Sequence, residues 1–147
     1  MTAATSTNHS KLSASPYSAV TGALATGGLW LDVGAAVVRV RSGSVALARD
    51  LQSVYGEFPL IVDGAFADIH VDIRLASGLR RWFGPQVELH CDGQHPFEPF
   101  SAHQALPLLE WGCNWMIGQR MNHLLLLHAG VVERNGLAMV LPATPGS

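Results

Sequence analysis

Five residues at the end of the chain have the pattern of a phosphate-binding loop. They follow an apolar segment, Leu137–Leu141, as the loop of a P-loop protein follows a buried strand. In that motif a small residue and four variable residues precede Gly-Lys-[Ser/Thr], and backbone N–H groups of the loop cradle phosphate oxygens. The expected lysine would come after the last residue, and the alternative is a flexible tail after a hairpin. The five residues are Ala143, Thr144, Pro145, Gly146 and Ser147.

A histidine precedes the same region. His128 lies in the predicted strand over 124–133, the first strand of a hairpin that leads into Ala143. The residues alone favour a strand histidine whose ring is hydrogen-bonded to neighbouring backbone.

Acidic and histidine side chains also alternate with apolar residues on one predicted strand, and therefore share a face. Nitrogen and oxygen ligands of this kind suit a transition metal. Their spacing is not that of a compact metal motif, however, and strand alternation alone would place polar residues there. The sequence therefore predicts a solvated sheet face and no metal site. The residues are Asp68, His70 and Asp72 on the strand, with His90, Asp92, His95 and His103 later in the chain.

Three further side chains could carry chemistry. Glu110 lies in a mostly apolar predicted helix, where it would either pair as a buried acid with Arg39 or Arg74 or lie on the helix surface. Cys91 and Cys113 are too few for a disulfide framework, and we expect both to be buried free thiols in a reducing setting.

Composition limits the class of protein. The chain has 147 residues, of which 48% are hydrophobic and 14% charged, so one folded domain is expected. A net charge of −2 without a basic cluster predicts neither a nucleic acid nor a membrane partner. The first 26 residues lack the basic start and apolar stretch of an export signal. A cytoplasmic protein is the simplest prediction.

The first half of the chain predicts alternating helices and strands. Residues 1–13 are expected to be a mobile tail, and a helix is expected from Ser15-Pro16 to Gly27-Gly28. Two short antiparallel strands should follow. An amphipathic helix over 44–55 should begin at the N-cap Ser44 and end at a left-handed Gly56.

The second half predicts two hairpins around a long helix. Strands are expected over 65–75 and 86–91, with the turn Asp92-Gly93 pairing the latter with an edge strand over 95–100. A helix bent at Pro107 should extend from a capping box at Ser101 to about residue 121. Strands over 124–133 and 137–141 should be joined by Asn135-Gly136. The predicted fold class is α+β, with a mostly antiparallel sheet and two to three helices.

Several of these segments resemble the HprK-related kinases, relatives of HPr kinase/phosphorylase. In that family a histidine followed by small residues, a hairpin and a P-loop come in this order, and the most distinctive similarity is Leu-Pro-Leu-Leu-Glu-Trp-Gly at 106–112. The resemblance covers roughly residues 29–147 and divides the chain into a mobile or partly helical segment (1–26), an α+β N-terminal domain (27–122) and the start of a P-loop kinase core (123–147). The similar segments are 37–41, 64–68, 97–100, 105–115, 125–136 and 141–147.

The resemblance implies an ATP- and Mg²⁺-dependent kinase-like transferase of bacteria, often encoded beside a PqqD-like peptide-binding protein. It also implies a role for His128 near the phosphates, because the family has a histidine just before the nucleotide-binding hairpin. The lysine of the P-loop, the Ser/Thr that binds Mg²⁺ and the later catalytic acids are not among these residues. We therefore expect neither tight ATP binding nor phosphorylation by this chain alone, and no catalytic residue is assigned. The alternative is a non-catalytic protein- or peptide-binding module that acts with a PqqD-like partner. Exposed strand edges would favour a homo-oligomer.

Overall fold

In the part of the chain that the structure describes, the fold consists of a seven-stranded sheet, three α-helices and a separate hairpin. The structure, a computed structural model, describes residues 10–61, 66–77 and 84–142. In chain order the elements are β1 (Ser10–Lys11), α1 (Tyr17–Ala25), β2 (Leu29–Asp32), β3 (Val37–Ser42), α2 (Val45–Val54), β4 (Pro59–Ile61), β5 (Ile69–Leu75), β6 (Gln86–Cys91), β7 (Phe100–Ser101), α3 (Ala105–Arg120), β8 (Ala129–Arg134) and β9 (Leu137–Pro142).

The order of strands in the large sheet is β1-β4-β2-β3-β5-β6-β7. Neighbouring strands are antiparallel, except that β3 and β5 are parallel. The α+β class and the mostly antiparallel sheet predicted from the sequence are thus confirmed. The parallel pair was not predicted; it needs a crossover connection, which α2 and β4 supply between β3 and β5.

The core lies between one face of the sheet and the helices. On β3, β5 and β6 every second side chain is buried, because successive residues of a strand point to opposite faces. These strand residues pack with apolar residues of all three helices. The buried set includes Val38, Val40, Ile69, Val71, Ile73, Val87 and Leu89 from the sheet and Val20, Leu24, Leu47, Leu51, Leu108, Leu109 and Met116 from the helices.

The segment before α1 belongs to this core, so the expected mobile tail is wrong for residues 10–13. The side chain of Leu12 is completely buried. Its backbone N–H donates to the Phe58 carbonyl at 3.1 Å, and the Gln52 side-chain amide donates to the carbonyl of Ser15 at 2.9 Å. A short segment can be held in this way because its backbone and its one large apolar side chain both find partners.

The first two helices begin where the sequence predicts. Ser44 caps α2, since its hydroxyl accepts a hydrogen bond from the N–H of Leu47 at 3.2 Å. Gly28 ends the turn after α1 with a φ of 114°, a left-handed conformation that favours glycine. The predicted left-handed Gly56 is wrong, because its φ is not positive. Glycine is needed there for space instead: a Cβ would lie 2.7 Å from the Gln52 carbonyl oxygen.

Three details of the region around α3 differ from the predictions. Within the predicted strand over 95–100 only Phe100 pairs with β6, and Ser101 continues the pairing, because the prolines in this stretch lack the N–H donor of a ladder. The capping box at Ser101 is not formed; its hydroxyl contacts His103 Nδ1 at 2.9 Å. Pro107 lies in the first turn of α3, where no intrahelical N–H bond is lost, so the expected reason for a bend is absent.

The strands β8 and β9 form a small sheet of their own. Among the described strands they pair only with each other, through a two-residue turn at Asn135 and Gly136 with φ of 53° and 78°. The predicted hairpin is confirmed. Its first strand begins at Ala129 and not at residue 124, because residues 124–128 are not part of a strand. Within the described part of the chain, no helix has both the length and the apolar character needed to cross a membrane.

Candidate functional site

The hairpin β8–β9 brings the chain to the predicted phosphate loop. Its register pairs Ala129 with Pro142, so His128 lies at the end of the hairpin from which the chain continues to Ala143. The side chain of His128 is exposed. The predicted loop residues Ala143–Ser147 lie outside the described residues. The proximity of His128 to the start of that loop is therefore a property of the hairpin register.

Both faces of the hairpin expose apolar side chains. Val131 pairs with Val140 on one face, and Val132 pairs with Met139 on the other. These four side chains are 47–62% exposed. A two-stranded hairpin is at best marginally stable in water when neither face is covered. The strands β8 and β9 are rich in apolar residues, which is typical of strands in a sheet that is covered on both faces.

The single lysine of the chain lies at the edge of the other sheet. Lys11 is on β1, and its ammonium group contacts the carboxylate of Glu57 at 2.5 Å. The hydrogen bond from Lys11 lowers the pKa of Glu57. Since Lys11 belongs to the seven-stranded sheet and not to β8–β9, it is not placed as the lysine of a phosphate loop.

The polar face of the large sheet holds a network of ion pairs around Asp72. Arg41 binds the carboxylate of Asp72 through two nitrogens at 2.8 and 2.9 Å, and Arg74 binds it from the same strand. Burial of Asp72 opposes its ionisation, but the hydrogen bonds from Arg74 and Arg41 outweigh that effect and lower its pKa. A cleft of about 460 Å³ beside these residues is lined by both arginines and by Asp72, so its charged side chains are paired with one another and leave one net positive charge.

A second group of polar residues lies at the end of β5 and β6. Asp92 contacts His70 Nδ1 at 3.2 Å and Arg120 at 2.8 Å. Asp68 accepts a hydrogen bond from the backbone N–H of Val37 at 2.8 Å. Most of the residues considered as metal ligands from the sequence therefore contact other protein groups. These are Asp68, His70, Asp72, Asp92 and His103.

A cleft of about 310 Å³ lies between the sheet, α2 and α3. Most of its lining is apolar, from residues such as Leu31, Val38 and Leu109. Glu110 lies at this cleft and accepts a hydrogen bond from the Tyr55 hydroxyl at 2.7 Å. The predicted pairing of Glu110 with Arg39 or Arg74 is wrong, because the two arginines bind Gly27 and Asp72 respectively. No sequence motif indicated Tyr55, which is 55 residues away in the chain.

Tyr55 gives this cleft a measurable signature. Burial, then the hydrogen bond and charge of Glu110, raise the pKa of Tyr55 far above its usual value of about 10. We expect the tyrosinate absorbance of a Tyr17→Phe protein, in which Tyr55 is the only tyrosine, to titrate well above that value. The pKa of Tyr55 is higher in the folded state than in the unfolded state. Protonated Tyr55, bound to Glu110, therefore stabilises the fold fully below about pH 10, and this stabilisation is lost as the pH rises toward the folded-state pKa.

The matched variant for this titration is Glu110→Gln in the same background. An amide keeps an acceptor but removes the charge, so the midpoint should fall while staying above the usual tyrosine value. Circular dichroism over the same pH range shows whether the protein remains folded. A midpoint at the ordinary value in the folded protein would contradict the buried pair.

Both cysteines are free thiols that the core shields. Both are free, as expected from the sequence; Cys91 on β6 is buried, as also expected, whereas Cys113 on α3 is only partly buried. Burial raises the pKa of Cys91 to about 11 and that of Cys113 to about 12. At neutral pH both are protonated, which makes them poor nucleophiles.

Comparisons with protein-family models, with curated proteins and with solved structures give no match to this chain.

Proposed function

We propose that this chain is the N-terminal part of an HPr-kinase-like, ATP-dependent phosphotransferase, a bacterial cytoplasmic protein that does not transfer phosphate with these residues alone. The seven-stranded domain would precede the kinase core. The hairpin β8–β9 would supply the first two strands of that core, and Ala143–Ser147 would form the first half of its phosphate loop.

The exposed apolar hairpin is the observation that carries the proposal. Val131, Val132, Met139 and Val140 lie on both faces of a sheet that is separate from the domain. Covering such strands by a larger sheet and its helices would remove this apolar surface from water, at about 25 cal/mol per Å² of area buried. In a P-loop protein the strand before the loop is covered in this way. The order of His128, hairpin and Ala143 agrees with that arrangement.

The residues of this chain do not suffice to hold a nucleotide. A P-loop uses a lysine on the terminal phosphates and a Ser/Thr hydroxyl on Mg²⁺. Lys11 is engaged with Glu57 at the far edge of the domain sheet, and among the described residues of the hairpin the only cation is Arg134, beside the turn. No phosphate-transfer step is therefore assigned to any residue here.

The first test of the proposal is the genomic sequence that follows the codon of Ser147. We expect it to continue in frame as Gly-Lys-[Ser/Thr], followed by a helix-forming segment. Any other continuation removes the main support for a kinase core.

Calorimetric titration with ATP-Mg²⁺ tests the protein directly. We expect no binding at micromolar nucleotide with this chain, because half a loop offers backbone donors but no lysine. A longer chain that includes the continuation should bind, and replacing the loop lysine by alanine there should abolish the binding. Tight binding by residues 1–147 would contradict the stated requirement for the lysine.

The alternative function is a module that binds a protein or peptide, such as a PqqD-like protein. The aromatic surface beside the edge strand β7 favours it: Phe97 stacks on Trp111 with ring centroids 4.4 Å apart, and Trp111 is 51% exposed. Exposed aromatic side chains are enriched at binding surfaces. Titration with a purified PqqD-like protein separates the two functions, since nucleotide-independent binding that Trp111→Ala abolishes would favour the binding module.

A further inference from the structure

Three potential metal ligands converge on the polar face of the sheet, away from the hairpin. Glu88 and His90 are two residues apart on β6, so their side chains lie on the same face. One ligand atom from each, together with one from His95, lie within 4.8 Å of one another. The distance between His90 Nε2 and the Glu88 carboxylate is 3.8 Å.

A tight turn brings the third ligand to the other two. Asp92 and Gly93 have φ of 46° and 83°, and the chain reverses so that Cys91 bridges to Gln94. His95 follows immediately, and its ring centroid lies 3.6 Å from that of His90. His95 is five positions after His90 in the sequence, and the turn places the two histidines side by side.

The set of donors matches one type of metal in particular. Two imidazole nitrogens and one carboxylate are the protein ligands of open zinc sites, in which water or substrate occupies the fourth position. At zinc–ligand distances of about 2.0–2.2 Å, tetrahedral ligand atoms are roughly 3.3–3.6 Å apart. The His90–Glu88 separation of 3.8 Å is slightly longer than this, and all three ligand atoms lie within 4.8 Å of one another, so side-chain rotations that bring them closer would complete the site. Mg²⁺ and Ca²⁺ prefer oxygen ligands and fit less well.

Two charged residues of the neighbouring strand β5, Arg74 and Asp72, lie opposite the ligands Glu88 and His90. A neutral imidazole is the form of histidine that binds a metal ion. Arg74 faces Glu88 across the strands, but Asp72 holds its guanidinium group. Asp72 is also the register partner of His90 and adds negative charge on that side. Cys91 points to the opposite, buried face and does not compete as a ligand.

We propose that Glu88, His90 and His95 form a binding site for one Zn²⁺ ion, with a fourth position open to water or to an oxygen ligand. The site is independent of the proposed kinase core, because it lies on β6 and the following turn. His90 is the most buried of the three ligands and His95 is exposed, so the ion would be reached from solvent.

Zinc titration of the metal-free, untagged chain by calorimetry tests the site. We expect binding of one Zn²⁺ per chain, and a rise of Tm with added zinc. Loss of an outer-shell partner alone lowers metal affinity by about 10–100-fold, so His90→Gln and His95→Gln should each weaken binding at least that much. Glu88→Gln should weaken it as well, since an amide is a poor substitute for an anionic ligand.

His70→Gln and His103→Gln are matched controls on the same domain. Each removes one imidazole, yet these rings are engaged with Asp92 and Ser101 and are not among the three ligands. Both variants should bind zinc as the unmodified chain does. Circular dichroism without metal checks that every variant is folded.

Three outcomes of the zinc titrations would overturn the site. They are the absence of stoichiometric binding by the unmodified chain, its retention by the double variant His90→Gln/His95→Gln, and a loss of affinity in His70→Gln as large as that in His90→Gln. As an independent readout, Co²⁺ should give the visible absorption of a tetrahedral site with the unmodified chain and not with the double variant. An octahedral Co²⁺ spectrum in both proteins would likewise contradict the site.

Discussion

Leu12→Ala should lower the free energy of unfolding by about 2–5 kcal/mol, the usual cost of truncating a fully buried leucine. Leu12 precedes α1 by only a few residues, yet none of its side chain is exposed. The substitution removes apolar contacts and leaves a cavity, because the backbone around it is fixed by hydrogen bonds to Phe58 and Gly56. Urea unfolding followed by circular dichroism measures the change.

Val45→Ala is the control for this measurement. Val45 is the first residue of α2 and is 57% exposed, so shortening it should change the free energy of unfolding by less than about 0.5 kcal/mol. If Leu12→Ala were no more destabilising than Val45→Ala, the segment before α1 would be the mobile tail that its composition suggests.

Gly112→Ala should destabilise the domain by about 1–3 kcal/mol, the cost of overpacking a core, although alanine is the better helix former. Gly112 lies on the buried side of α3. A Cβ at this position would be 2.3 Å from one methyl carbon of Leu89, 3.1 Å from the other and 3.3 Å from its Cγ. Leu89 is itself only 1% exposed, so it cannot move away without disturbing the core. Chemical denaturation again measures the loss.

Gly118→Ala is the matched control in the same helix. Its Cβ would only touch Leu126, at an ordinary contact distance of 3.5 Å, and the position is exposed. This substitution should stabilise the protein by up to about 1 kcal/mol, because it improves helix propensity. A destabilisation shared by both variants would mean that steric contact with Leu89 is not the cause.

Most elements were predictable because their residues repeat with the period of the structure. Alternation identified β3, β5 and β6, and apolar spacing together with Ser44 identified α2. The turns at Asp92-Gly93 and Asn135-Gly136 were predictable from residues that accept positive φ. The strands β1 and β4 were not predicted, because two or three residues are too few to show a period and their pairing joins residues about 50 positions apart.

The candidate sites were predicted less completely than the fold. His90 and His95 were considered as ligands, but Glu88 was missed because it is separated from His95 by a turn whose exact course decides the distance. Neither alternative considered for Glu110 included Tyr55, for a related reason: α3 and the C-terminal end of α2, which Tyr55 follows, meet only in the packed domain. Side-chain convergence of this kind depends on the angle between elements, which no local pattern encodes.

The sequence by itself determined the α+β class, the main helices and the two tight turns, because each depends on neighbouring residues. It also gave the order of His128, hairpin and Ala143 on which the kinase proposal rests. Only the tertiary structure decided that Leu12 is core, that β3 and β5 are parallel, and that β8–β9 stands apart from the domain sheet. Contacts between distant residues form where burial of apolar area outweighs chain entropy, and that balance belongs to the whole fold.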